Sequence, residues 1–156
     1  MKLPKIVGDY AKGIFGHVKE ILVHTRLPIC LVGPTGTAKT LIMLHALRWY
    51  SEKYGVPSYY LQMSPDVTRT TLVGGFRLVN GSFVPVKGVI MRAMEEGGIV
   101  GLDEFTHAEQ EDQVSLNSAL ATDSLKLVSI GEIEVYAKPT TRFILAHNPE
   151  VYAGNK

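Results

Sequence analysis

The chain has 156 residues, 46% of them hydrophobic and 20% charged, so it can form one globular domain, and its composition excludes a disordered or low-complexity chain. Sixteen Lys and Arg against fifteen Asp and Glu give a net charge of +1, which argues against a nucleic-acid-binding protein. The single cysteine excludes an internal disulfide framework and a zinc site of several cysteines, no apolar run reaches the ~18 residues of a membrane helix, and a cytoplasmic location is expected.

The first part of the chain predicts helices and short apolar strands in alternation. Apolar side chains at helical spacing predict a helix over residues 9–26. Ile29–Val32 is a continuous apolar run, which is typical of a buried parallel strand, and Cys30 is expected to lie in the core. A helix rich in Leu, Ile, Met and Ala is predicted over Lys39–Tyr54, and a second strand over residues 59–61.

The second part of the chain contains two predicted hairpins. Asn80 and Gly81 supply the positive φ angles of a type I′ turn, and a second turn is predicted at Ile130 and Gly131. The hairpin strands are residues 76–79 with 82–84 and residues 125–129 with 132–136. The other predicted elements are helices over Val89–Glu96 and residues 108–121, and strands over residues 99–102 and 143–146.

This alternation of strands and helices predicts βαβ units and an α/β fold with a mainly parallel sheet. No linker, internal repeat or low-complexity tract divides the sequence, so residues 1–156 are expected to form one domain. Ligands of such sheets bind beyond the carboxyl ends of the strands. Three polar motifs of this chain lie at such ends.

The first motif is a phosphate-binding loop between a strand and a helix. It has the pattern G-x-x-x-x-G-K-[ST], with alanine at the second fixed glycine, and it consists of Gly33, Pro34, Thr35, Gly36, Thr37, Ala38, Lys39 and Thr40. Backbone N–H groups of such a loop surround phosphate oxygens, and the helix N-terminus adds the positive end of its dipole. Lys39 then places a charge on the β- and γ-phosphates, and Thr40 offers a hydroxyl to Mg²⁺. The alternative is a plain glycine-rich turn with an exposed lysine.

The second motif is a pair of carboxylates at the end of the strand over residues 99–102. Asp103 and Glu104 follow this apolar run directly, and charges there are costly unless something binds them. Asp103 can hold Mg²⁺ through water, and Glu104 can orient or deprotonate an attacking water. The alternative is a solvated turn.

The third motif is Asn148, which follows the strand over residues 143–146 and precedes Pro149. A neutral amide at this position can hydrogen-bond the γ-phosphate or the attacking water. The alternative is an ordinary turn asparagine before proline.

Charge is divided unevenly along the chain. Residues 1–78 carry ten basic and four acidic residues, a net charge of +6, and residues 79–156 carry six and eleven, a net charge of −5. A positive half suits a polyanionic ligand, and halves of opposite sign suit head-to-tail self-association. The alternative is scattered, solvated charge.

The ordered set of motifs resembles the AAA+ ATPases, and most closely their MoxR-like and dynein- and midasin-related branch. Val7 and Gly8 belong to a short segment similar to the family's adenine-lining motif, and the two hairpins fall where this branch has hairpin inserts. The resemblance implies a three-layer P-loop sandwich. Its core strands, numbered along the chain, would lie in the order 1-4-3-2, with the fifth strand of the family missing.

The resemblance also implies roles for individual residues. The loop corresponds to Walker A, Asp103 and Glu104 to Walker B, and Asn148 to sensor 1. ATP and Mg²⁺ are the implied cofactors, with Thr40 and Asp103 at the metal and Glu104, Lys39 and Asn148 in catalysis. The implied nucleotide contacts are Val7, Gly8, Gly33, Pro34, Thr35, Gly36, Thr37, Ala38, Lys39, Thr40 and Leu41.

This sequence departs from the family pattern after sensor 1. In the family, an arginine finger, a fifth strand and a helical lid follow, and none of them is found in this sequence. The chain is therefore expected to be a nucleotide-binding core domain without the lid, with Ile29–Val32 at a sheet edge. Arg142 is expected to be a surface residue at a strand end rather than a finger. Because such an arginine contributes about 10³–10⁵ in rate, hydrolysis by this chain alone is expected to be slow.

The resemblance finally implies a ring, usually a hexamer, that remodels or chaperones a protein client. No membrane association is expected. One alternative function is a nucleotide-gated switch, or a fragment of a larger protein, with little turnover alone. Another is a nucleic-acid motor subunit, against which the net charge argues.

Overall fold

A computed structural model of the protein describes residues 2–107, 116–120 and 127–149. The helices are α1 (Asp9–His24), α2 (Lys39–Tyr54), α3 (Arg69–Leu72), α4 (Val89–Glu96) and α5 (Asn117–Leu120). The strands are β1 (Ile29–Val32), β2 (Ser58–Gln62), β3 (Gly74–Val79), β4 (Ser82–Lys87), β5 (Ile99–Asp103), β6 (Leu127–Ile130), β7 (Ile133–Tyr136) and β8 (Arg142–His147). Most of the helix predicted over residues 108–121 lies outside the described residues. No helix that the structure describes is long and apolar enough to cross a membrane.

Four strands form one parallel sheet in the order β1-β8-β5-β2. Numbered as core strands along the chain, this is the predicted order 1-4-3-2. The α/β fold is therefore confirmed, and so are the two hairpin inserts, which are the separate antiparallel pairs β3-β4 and β6-β7. Strand β1 lies at one edge of this sheet, as predicted, and β2 lies at the other.

The sheet separates two hydrophobic layers. Helices α1 and α2 pack on one face, against Ile99 and Ile144. Helix α4 and the hairpin β6-β7 pack on the other face, against Val100 and Phe143. Because side chains alternate along a strand, both faces of the central strands β5 and β8 are buried. This explains why both strands are continuous apolar runs in the sequence.

Gly101 in the middle of β5 allows α2 to approach the sheet closely. A Cβ at this position would lie 2.7 Å from Met43 Sδ and 2.9 Å from Leu47 Cδ1. Met43 lies one helical turn after Thr40, and Asp103 lies two residues after Gly101 on the same strand face. The close approach therefore brings the start of α2 to the carboxyl end of β5.

The structure confirms the predicted turn of the first hairpin and displaces the predicted turn of the second hairpin by one residue. Asn80 and Gly81 have φ angles of 49° and 81°, as a type I′ turn requires. The predicted second turn is wrong by one residue, since it lies at Gly131 and Glu132. The observed register pairs Ile130 with Ile133 and buries Ile130 with the core, and burial of one face fixes the register of a hairpin.

Two side chains differ from their predicted environments. Cys30 is exposed rather than part of the core, because β1 is an edge strand and only alternate side chains face the helices. Arg142 is buried rather than on the surface. Its guanidinium donates hydrogen bonds to the carbonyls of Leu22 at 3.0 Å and Pro139 at 2.7 Å, so it joins the last turn of α1 to the start of β8.

Candidate nucleotide-binding site

The three predicted motifs line one cavity at the carboxyl end of the parallel sheet. Its volume is about 320 Å³. The cavity is lined by residues 35–41, by Asp103 and Glu104, and by His147 and Asn148. The structure therefore brings together side chains that lie more than one hundred residues apart in the chain.

Two residues of the loop between β1 and α2 have positive φ angles. Gly36 has φ +85°, and a Cβ there would meet no atom within 4 Å, because the loop is open on this side. Ala38 has φ 62° and ψ 19° and directly precedes α2. Glycine adopts this conformation freely, whereas the Cβ of alanine is crowded in it, at a cost of about 1 kcal/mol. The alanine at the second glycine position therefore strains the loop.

Lys39 folds back over the loop. Its Nζ donates hydrogen bonds to the carbonyls of Gly33 and, at 2.8 Å, Pro34. Thr37 Oγ1 donates to the same Pro34 carbonyl at 2.8 Å. The ammonium group is thus held beside the loop, on a half-buried side chain.

Asp103 is the buried acid of the site, with 5% of its surface exposed. Thr40 Oγ1 donates to Asp103 Oδ2 at 2.6 Å, and the Tyr60 hydroxyl donates to the same oxygen at 2.9 Å. The backbone N–H of Glu104 donates to Oδ1 at 2.9 Å. These donors compensate the burial of the carboxylate charge.

The donor set of Thr40 and Asp103 fits Mg²⁺, which prefers hard oxygen ligands. Among the residues that the structure describes, no group of three or more His, Cys, Asp and Glu side chains could hold a metal by itself. Mg²⁺ is usually bound by one or two protein oxygens, with phosphate and water as its other ligands. The site therefore fits a metal that arrives with a phosphorylated ligand.

Glu104 presents an exposed carboxylate next to the buried Asp103. Its φ of 51° lies in the left-handed region, which is uncommon for a residue with a side chain. Gln62 Nε2 donates to Glu104 Oε2 at 3.1 Å. Strained backbone of this kind concentrates at functional sites.

Asn148 connects the end of β8 to the phosphate loop. Its Nδ2 donates to Thr35 Oγ1 at 3.3 Å, although the two residues lie 113 positions apart in the chain. His147, the last residue of β8, is half-buried and also lines the cavity.

Val7 and Gly8 lie at the start of α1 and do not line this cavity. Val7 is 82% exposed, and Gly8 is the N-cap with φ +93°. Tyr10 and Ile14 from the first turns of α1 instead line a neighbouring cavity of about 150 Å³ that reaches the loop. The adenine contact of Val7 and Gly8 remains a prediction.

Tyr60 and Gln62 on β2 are site residues that the sequence does not reveal. Parallel pairing places Gln62 opposite Asp103 and Tyr60 opposite Gly101. In the sequence, Tyr60 lies on the predicted strand over residues 59–61 and Gln62 directly follows this strand. The register that brings both residues to Asp103 and Glu104 is a tertiary feature. Burial, the hydrogen bond to Asp103 and the charges of Asp103 and Glu104 raise the pKa of Tyr60, so its hydroxyl remains a donor.

Residues 28–156 match the family model described as AAA domain (dynein-related subfamily). The chain is 32% identical to Protein NorQ of Paracoccus denitrificans over 135 residues, which cover 85% of this chain and 47% of that protein. It is 31% identical to Denitrification regulatory protein NirQ of Pseudomonas aeruginosa over 139 residues, 86% of this chain and 51% of that protein. It is 30% identical to Protein CbbQ of Hydrogenophilus thermoluteolus over 133 residues, which cover 83% of this chain and 47% of that protein. The chain spans about half the length of these relatives.

Proposed function

The chain belongs to the AAA+ ATPases, in their dynein-related, MoxR-like branch, and on this premise we propose that it binds ATP with Mg²⁺ and hydrolyses the bond between the β- and γ-phosphates. The observation that carries the proposal is the convergence of residues 35–41, Asp103, Glu104 and Asn148 on one cavity. A loop with a helix N-terminus behind it attracts a polyphosphate.

Phosphate binding would use the loop backbone and Lys39. The N–H groups at the start of α2 have no partner within the helix, and the helix dipole places positive charge there. Lys39 would exchange the carbonyls of Gly33 and Pro34 for oxygens of the β- and γ-phosphates. The loop then loses two internal hydrogen bonds and gains charge-assisted bonds, which are stronger.

Thr40 and Asp103 would hold the metal, Thr40 through its hydroxyl oxygen and Asp103 through water. A bound Mg²⁺ neutralises charge on the β- and γ-phosphates and thereby assists departure of the leaving group. The hydrogen bond between Thr40 and Asp103 holds the hydroxyl and the carboxylate next to each other before the ligand enters.

Glu104 would orient the attacking water and accept its proton as the water oxygen bonds to the γ-phosphorus. The bond to the β-phosphate oxygen breaks, and ADP and phosphate leave. The hydrogen bond from Gln62 would aim the Glu104 carboxylate. Asn148 would contact the γ-phosphate or the same water, which is supported by its contact with Thr35 of the loop.

AAA+ ATPases generally assemble as rings. For this chain we propose a ring, with a hexamer as the usual size, in which a neighbour supplies an arginine. No arginine lines the cavity among the described residues, and Arg142 is engaged inside the fold. A nucleotide-binding switch with little turnover by the chain alone is therefore the second candidate function.

The client is proposed to be a protein rather than a nucleic acid, in a cytoplasmic setting. The hairpin β3-β4 supports this, because one of its faces carries exposed apolar side chains. Leu78 lies opposite Phe83, and they are 61% and 75% exposed. An exposed apolar patch of this kind marks an interaction surface. The proposal treats the chain as the nucleotide-binding core domain of this machine.

Calorimetry with ATP and Mg²⁺ tests the proposal on this chain. The expected result is saturable binding that Lys39→Ala abolishes. Lys53→Ala is the matched control, since Lys53 is an exposed lysine in the last turn of the same helix. No binding by the folded wild-type chain, or equal loss in both variants, contradicts the proposal.

A further inference from the structure

Tyr60 contacts the site from the edge strand of the sheet. Strand β2 pairs only with β5 among the described strands, so one side of β2 is open. The Tyr60 side chain lies along a surface groove with Leu44 and Leu47 of α2, and 41% of the residue is exposed. Its hydroxyl is directed into the site, where it donates to Asp103 Oδ2 at 2.9 Å in a partly buried hydrogen bond.

The Asp103 carboxylate is held at both oxygens. Oδ2 accepts from Thr40 and Tyr60, and Oδ1 accepts from the backbone N–H of Glu104. The Glu104 N–H alone would leave the carboxylate free to turn about that bond. The two hydroxyl donors on Oδ2 fix its plane, and they come from different elements, α2 and β2.

When a cation binds, Thr40 takes on a second role, as a metal ligand, whereas Tyr60 keeps only its hydrogen bond to Asp103. The Thr40 oxygen has to direct a lone pair to the metal, and its proton then has one favourable acceptor, Asp103 Oδ2. That alignment requires Oδ2 to stay in place. The Tyr60 hydroxyl donates to Asp103 and belongs to β2 rather than to the loop, so it can hold Oδ2 while Thr40 adjusts.

On the basis of the proposed function, we propose that Tyr60 is a positioning residue for the metal end of the site. Its hydroxyl holds Asp103 Oδ2 so that Thr40 and Asp103 present matched oxygens to a magnesium–nucleotide complex. Nucleotide without metal gains nothing from this alignment. Tyr60 therefore contributes to the increment in affinity that Mg²⁺ provides and not to phosphate binding by the loop.

The test measures the dissociation constant of a fluorescent ATP analogue, with Mg²⁺ and with excess EDTA, for the wild-type chain and Tyr60→Phe. The phenylalanine keeps the ring in the groove and removes the hydroxyl alone. The constant in EDTA divided by the constant with Mg²⁺ is the increment that Mg²⁺ provides, and this ratio is expected to fall by about tenfold or more, as for loss of a hydrogen bond to a charged group. The constant in EDTA is expected to stay within about twofold of the wild-type value.

Tyr59→Phe is the matched control. Tyr59 is the neighbouring residue of β2, its side chain points to the opposite face, and its hydroxyl donates to Glu96 Oε2 at 3.0 Å. Its removal is expected to leave the Mg²⁺ increment unchanged. A second control is the double variant with Asp103→Asn, in which Tyr60→Phe is expected to cause no further change in the increment.

Each remaining outcome overturns the inference. An unchanged increment in Tyr60→Phe shows that the hydroxyl does not position the site. Equal loss in Tyr59→Phe, loss of affinity in EDTA, or failure of Tyr60→Phe to fold shows a structural role for the hydroxyl. Absence of Mg²⁺-dependent binding in the wild-type chain overturns the proposed function itself, so the two failures are distinguishable.

Discussion

Thr40 and Asp103 are 63 positions apart in the chain, and a hydrogen bond of 2.6 Å joins them. Thr40 is the second residue of α2 and Asp103 is the last residue of β5. The bond therefore joins the phosphate loop to the second motif. It also makes the geometry of the site depend on how closely α2 packs on the sheet.

Thr40→Ala is expected to lower the affinity for Mg-ATP. The variant removes a proposed metal ligand and a hydrogen bond to a buried charge, which together are worth about 1.5–3 kcal/mol, or roughly 10- to 150-fold in affinity. Titration calorimetry with and without Mg²⁺ measures the change. Thr40→Ser keeps the hydroxyl and is expected to keep most of the affinity, and equal loss in both variants would count against a role for the hydroxyl.

Glu104→Gln is expected to separate binding from hydrolysis. The amide cannot accept the proton of the attacking water, so turnover falls by about 10²-fold or more while ATP still binds. Release of phosphate and binding of ATP are measured on the same preparation. Glu52→Gln, on an exposed part of α2, is the control. Equal turnover in Glu104→Gln and the wild-type chain would contradict the role of Glu104 in hydrolysis. It would support the second candidate function, a nucleotide-binding switch with little turnover.

Ala38→Gly is expected to stabilise the chain. Alanine at φ 62° is strained, and glycine relieves about 1 kcal/mol of this strain against a smaller loss from the greater freedom of the unfolded chain. Denaturant unfolding measures the change in the free energy of unfolding. Ala46→Gly, a buried position within α2, is expected to destabilise instead, and destabilisation in both variants contradicts the strain at Ala38.

Gly101→Ala is expected to destabilise the chain by about 1–3 kcal/mol through overpacking. The new Cβ would lie 2.7 Å from Met43 Sδ, and Met43 is fully buried, so its side chain has little room to move. Displacement of α2 is expected to weaken nucleotide binding as well. Thermal unfolding and ligand titration measure the two effects.

Gly13→Ala provides the control for that variant. Gly13 lies within α1, and a Cβ there would meet no atom within 4 Å. Alanine is expected to stabilise the helix by about 0.5–1 kcal/mol. If Gly101→Ala is as well tolerated, the close approach of α2 does not limit the fold.

The central sheet could be predicted from the sequence because its central strands β5 and β8 are buried on both faces. Both strands are therefore short continuous apolar runs whose limits can be seen in the sequence. The loop before α2 could be predicted as well, because its motif consists of residues adjacent in the chain. The strand order came from the resemblance, since one sequence contains no pairing information. Boundaries moved by a few residues, as at α1, which ends at His24 rather than Arg26.

The remaining features depend on tertiary contacts. Tyr60 reaches Asp103 only through the register of β2 and β5. Arg142 is buried because carbonyls of α1 and of the preceding turn accept its hydrogen bonds, and nothing in its neighbours along the chain indicates this. Charge alone predicted a surface position for this residue.

Strand β8 carries Arg142 as its first residue and ends one residue before Asn148. A stretch of six residues, about 20 Å long, therefore supports the packing of α1 at one end and the contact with Thr35 at the other. Substitutions in the middle of β8, at Ile144 or Leu145, would disturb both the packing of α1 and the contact with Thr35. A mutational screen that scores only cellular abundance would misclassify them as purely structural, so variants of β8 require parallel assays of folding and ligand response.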